Sequence, residues 1–258
     1  MKLKFKLNKY YLLTHALPLS DLPFPSWENL QNKLWEEFPK AYYLLTTHPE
    51  VAFMGDNPLE ELDQTYRETK KMISKAFRSK EFKKLYKESE VYLDFIQKQW
   101  NKSGHKALYI LQRLSGLPLP DKTITVFITH PKLYRGFALP AYNTIGLGYA
   151  EDYKNSSIIN LCHEILHLTT KNTRVMHALI ELLANNELRI QLNETGKYFI
   201  FQETDPTNNL SLYTYVNRMR KFEKKILPFW KAYLKNRDGR NLIDLEREIT
   251  KRLKNANH

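Results

Sequence analysis

The sequence predicts an α+β protein, mostly helical, with one small sheet of mixed or antiparallel strands and a helical C-terminal lobe. Three observations carry that prediction. Apolar residues recur near every 3.6 positions over long stretches, β-branched residues crowd one short stretch, and glycine is scarce, at 8 of 258 residues. A chain of this length buries a substantial core, and 42% hydrophobic residues with 16 Tyr and 13 Phe argue for packed helices rather than disorder.

The elements follow in order. Residues 2–13 alternate Lys with Leu3, Phe5 and Leu7 and read as a strand. Past Pro18, Pro23 and Pro25, Ser26 is a cap for a helix opening at Trp27 and Glu28 and running toward Phe38. Pro49, Gly55 and Pro58 mark a loop. From Leu59, Leu62 and Tyr66 a helical pattern runs through Met72, Ile73 and Phe77, and on through Phe82, Leu85, Tyr92, Ile96 and Trp100. Ser103-Gly104 is expected to interrupt it before a last helix through Leu108, Leu111 and Leu114. The sheet spans about 123–149, with a strand at Thr123–Thr129 and a hairpin of Phe137–Leu139 and Thr144–Tyr149. Ser156 and Ser157 can cap a helix over about 157–170, and Thr173 a second over about 173–192. Residues 1–194 then form an N-terminal lobe and 195–258 a helical C-terminal one.

The formal charge is +12 and the isoelectric point about 9.5, with much of the excess between Arg218 and Arg240. No nucleic-acid-binding motif accompanies it, so a solvated helix face is favoured over a polyanion site, with nucleic acid kept as an alternative partner. Cys162 is the single cysteine, which rules out an internal disulfide. Residues 1–20 lack a continuous apolar core and a small-residue cleavage site, and no run has the length of a membrane span. A cytoplasmic location is the expectation.

Chemistry concentrates in Leu161-Cys162-His163-Glu164-Ile165-Leu166-His167-Leu168. Positions four apart share one helix face, so His163 and His167 can converge on one ion, while Glu164 reaches a water beside it. Neutral imidazoles suit Zn²⁺, and a site with an open position is a catalytic one. The motif resembles that of the zincin metallopeptidases. The metzincin pattern, with Gly and His three and six residues past the second histidine, is not met, because Thr170 and Thr173 stand there.

A third donor is therefore sought on the second helix. Two helices joined by a short connection pack antiparallel, which sets His167 opposite about residue 177 and His163 opposite about residue 181. Glu181 is favoured on this geometry; His177 is the competing ligand, and Glu187 a third, roughly 9 Å further along the axis. A glutamate donor is similar to the gluzincin branch. There an Asp one turn later orients the first histidine, and Asn185 stands at that position, its oxygen a candidate acceptor from His163 Nδ1.

The resemblance implies a metallopeptidase acting on a peptide or protein, with Glu164 as general base. It also implies an edge strand that holds the substrate, for which Asn143, Thr144, Ile145, Gly146, Leu147 and Gly148 are the candidate segment. Tyr213, Tyr215 and Arg218 are candidates for stabilising an oxyanion. Cys162 is expected to point into the core and to be unreactive. Two other functions compete: a protease working on nucleic-acid-bound proteins, similar to Spartan-type enzymes, which a His177 ligand would fit, and a non-enzymatic zincin-like binding or sensor protein.

Overall fold

The computed structural model describes residues 1–18, 25–47, 67–133, 135–199 and 210–255. Its architecture is α+β, helices predominating around one four-stranded mixed sheet. The loop expected at Pro49–Pro58 and the helical residues from Leu59 to Tyr66 lie outside the described residues.

Strand β1 (Lys2–Leu7) is shorter than its alternation suggests, because Asn8 ends it. The Asn8 side chain accepts from the backbone N–H groups of Tyr10 and Tyr11 and so caps helix α1 (Lys9–Ala16). Helices α2 (Pro25–Glu37) and α3 (Pro39–Thr47) follow, then α4 (Arg67–Arg78) and the 36-residue α5 (Lys80–Ser115). Ser103-Gly104 does not interrupt α5. A Cβ on Gly104 would stand 2.6 Å from the Trp100 ring, so this glycine makes room for an indole one turn earlier rather than breaking the helix. Gly116, left-handed at φ 67°, ends α5 instead.

The sheet contains β1, β2 (Thr123–Ile128), β3 (Arg135–Leu139) and β4 (Thr144–Gly148), in the spatial order β1-β2-β4-β3. β1, β2 and β4 run parallel, and β3 returns antiparallel to β4, giving the expected hairpin. This order overturns one expectation. The candidate substrate strand, Thr144–Gly148, is hydrogen-bonded on both sides and has no free edge to offer. Asn143 sits in the tight turn before it at φ 48°. The two glycines of β4 admit neighbours, not substrate: a Cβ on Gly146 would lie 1.7 Å from the Tyr11 hydroxyl, and one on Gly148 2.0 Å from Thr129 Oγ1.

Helices α6 (Ser156–His167) and α7 (Arg174–Glu181) come next. A π-helical segment (Leu182–Leu188) joins α7 to α8 (Arg189–Asn193), so the expected second helix is continuous but widened in its middle. Helices α9 (Leu210–Lys235) and α10 (Leu242–Asn255) complete the described chain. One buried cluster joins the far half of α5, the sheet, α6, α7 and the last two helices; a second joins α1 through α4 to the start of α5. Among the described residues no helix is long and apolar enough to cross a membrane.

Candidate metal centre

The motif helix is a core element. Ile158, Ile159, Leu161, Cys162 and Ile165 are fully buried, an apolar surround that fixes its rotation and leaves only the His163–His167 face for chemistry. The two serines expected to cap it do so only indirectly. Asn155 holds the cap position at φ 62° without a side-chain bond to the helix N–H groups, its amide donating instead to Asn193 Oδ1. Glu151 supplies the anion, accepting from Ser157 N–H at 3.1 Å and Ser156 Oγ at 3.3 Å. Burial pushes the Cys162 thiol up to about 12, which leaves it inert.

Thr173 caps α7 as expected, its hydroxyl accepting from Met176 N–H at 3.1 Å. The same hydroxyl donates to Glu246 Oε1 at 2.9 Å and ties the start of α7 to α10. The antiparallel pairing deduced from the short connection is present. The His167 and His177 rings lie 5.1 Å apart, and Glu181 Oε1 is 3.9 Å from His163 Nδ1.

Three imidazoles converge. His163 Nε2 and His167 Nε2 are 3.1 Å apart, and donor atoms of His163, His167 and His177 all lie within 4.8 Å of one another. A tetrahedral zinc with nitrogen donors at about 2.0–2.1 Å spaces those donors roughly 3.3–3.4 Å apart. The pair on α6 already stands close to that spacing, and His177 offers a third nitrogen from α7 within 4.8 Å of both. The donor chemistry therefore fits a borderline divalent ion. Burial, then the neighbouring imidazoles, lowers His167 to about 3, and burial also lowers His163. Both are neutral at physiological pH, the form that ligates.

Glu181, the favoured ligand on sequence grounds, stands outside this cluster. Its Oε1 lies 3.4 Å from His177 Nε2 as well as beside His163, and Asn185 Nδ2 donates to its other oxygen. Burial by itself would raise this carboxyl, but His163, His177 and Asn185 together bring it down to about 2, so it is an anion braced against two imidazoles. The Asn185 amide thus serves Glu181 and not His163. Glu187 is turned away: it accepts from the Tyr198 hydroxyl and, at 3.3 Å, from Gln191.

Glu164 is buried beside the triad, and burial, then the Glu181 charge, raises its carboxyl to about 8. It packs under β3, where a Cβ on Gly136 would stand 2.7 Å from Glu164 Oε1 and 2.7 Å from the Tyr149 ring. Only glycine leaves space there. Arg218 is exposed on α9, and the side chains of Tyr213 and Tyr215 lie outside the described residues.

Two residues escaped the sequence reading. Tyr149 follows β4 and accepts a backbone hydrogen bond from Gly136; burial first, then the Glu164 and Glu181 charges, keeps its phenol protonated. Glu223 is buried on α9, and burial, then Glu181, raises it to about 7. A signal for Glu223 existed: it is an acid inside the buried stripe Met219, Ile226, Leu227 and Trp230. Comparison with known protein families, curated proteins and solved structures finds no match to this chain.

Proposed function

We propose that the chain is a zinc-dependent metallopeptidase of the zincin kind, in which His163, His167 and His177 hold the ion and Glu164 is the general base. The observation that carries this reading is the buried carboxyl group of Glu164, outside the donor set but beside three converging imidazoles and under the edge strand β3. A purely structural site has no use for such a group. When bound, zinc would polarise the scissile carbonyl and supply an acidified water as nucleophile.

The remaining work belongs to the chain. Glu164 accepts the proton of the attacking water and returns it to the leaving amine. Glu181 orients His163 and His177 and raises their basicity, the task of a carboxylate behind a ligating imidazole. The substrate lies along β3, Arg135–Leu139, which among the described residues pairs on one side only, and Gly136 lets its backbone approach Glu164. A histidine third ligand favours a second reading too, the Spartan-type protease acting on nucleic-acid-bound proteins. Faster cleavage with added DNA would select that reading.

The test is a screen of unfolded proteins and peptides with zinc-loaded protein. Cleavage should stop with a chelator and return with zinc; cleavage indifferent to both would end the proposal. The positioning role of Glu181 has its own check. Glu181→Gln should weaken zinc binding roughly 10–100-fold in a competition titration, with the donor set intact. Metal loss as complete as that of a ligand variant would instead make Glu181 a ligand.

A further inference from the structure

At the β1 edge of the sheet, opposite the β3 edge, β1 and α5 enclose a cleft of about 600 Å³. Its walls are β1 on one side and a face of α5 carrying Trp100, His105 and Leu108 on the other. That size is typical of a ligand site.

Three features of β1 say what would fit there. First, the strand has one free edge among the described residues, since it pairs with β2 alone. Lys2 N–H points toward β2, donating to Lys122 O at 3.3 Å. By strand alternation, the N–H and C=O groups of Leu3 and Phe5 point the opposite way, over the cleft. Second, Lys2 and Lys4 share the exposed face of the strand while Leu3 and Phe5 turn toward α5, where Phe5 meets Trp100 edge-on at 6.1 Å between ring centres. Third, the polar rim is cationic or neutral: Lys2, Lys4, His105, Gln97 and Asn101 line it, and none of the lining residues is acidic.

We infer that this cleft binds an extended acidic peptide segment, added as a new strand to the free edge of β1. Main-chain pairing at Leu3 and Phe5 supplies the docking, as in other strand-addition sites. Side chains of the added strand that face inward meet Trp100 and Leu108, and those that face outward stand across from Lys2 and Lys4, where carboxylates are favoured. A second copy of the chain is a poor occupant. Pairing β1 with itself would set Lys2, Lys4 and Lys6 against like charges. Nucleic acid is a poor one too, because one face of the Trp100 ring is already covered by Gly104, and nucleotides have no use for a strand edge that alternates donors and acceptors.

The experiment uses the full chain and an acetylated, amidated peptide alternating Glu and Val over six residues, beside its Lys-for-Glu counterpart. Calorimetry should find the Glu peptide at least about tenfold tighter, and amide exchange at Leu3 and Phe5 should slow when it binds. A double variant, Lys2→Glu with Lys4→Glu, at two exposed positions, should reverse the preference while circular dichroism stays unchanged. Equal affinity for the two peptides overturns the inference, as does binding that leaves the Leu3 and Phe5 amides unprotected. Preference for a single-stranded oligonucleotide, or self-association through β1 in sedimentation, overturns it as well.

Discussion

His163→Ala is expected to abolish stoichiometric zinc binding and, with it, any zinc-dependent rise in melting temperature. The reason is geometric. His163 stands between the other imidazoles and the outer carboxylate: its Nε2 faces His167 at 3.1 Å, its ring centre lies 5.4 Å from that of His177, and its Nδ1 is 3.9 Å from Glu181 Oε1. Removing it leaves donors on two different helices with nothing to hold them on one centre. The loss should therefore exceed the roughly 10–100-fold typical of an outer carboxylate. A ligand at a hundred times its dissociation constant stabilises a fold by about 2.7 kcal/mol, so wild-type melting should rise with zinc and the variant's should not. Elemental analysis and differential scanning fluorimetry with and without zinc measure both quantities. A variant that keeps its zinc and its thermal shift would move the metal elsewhere and remove the ground for calling this a metal centre.

That result also tests the part of the site that was legible before any fold was known. Periodicity of 3.6 placed His163 and His167 on one face, and a short connection placed His177 and Glu181 opposite them; both inferences use local chemistry, and the structure contains both pairings. Local signals equally sufficed for the Thr173 cap and the hairpin around residues 140–143. Non-local facts were out of reach. Sheet order depends on which strands meet across the molecule, and so β4 could be mistaken for an edge when β3 is outermost. Choosing between His177 and Glu181 needed distances of a few ångströms between side chains one turn apart, finer than any count along a helix. Asn8 ended β1 early through a cap whose chemistry was visible in the sequence, but alternation in the residues before it was the stronger pattern.

Glu164→Gln should keep the metal and lose the reaction. Glutamine matches the shape of the carboxyl, and Glu164 is not among the three donors, so zinc content and the thermal shift should equal those of the wild type. Turnover should fall by about 10²–10⁴-fold, the usual contribution of a positioned general base, with KM little altered because the group acts on the transferring proton and not on substrate binding. On the proposed reading, the environment of Glu164 makes the base depend on the metal. In the metal-free protein, burial and the Glu181 charge hold its carboxyl up at about 8, protonated and useless as a base near neutrality. A divalent cation among the imidazoles opposes both effects and returns it to the carboxylate form. Activity should therefore vanish on chelation for two reasons at once, the loss of the Lewis acid and the protonation of the base. If Glu164→Gln instead cleaves as fast as the wild type at equal zinc occupancy, the proton is taken by another group. The buried carboxyl of Glu223, raised to about 7 and within electrostatic reach of His177 and Glu181, is then the residue to substitute next.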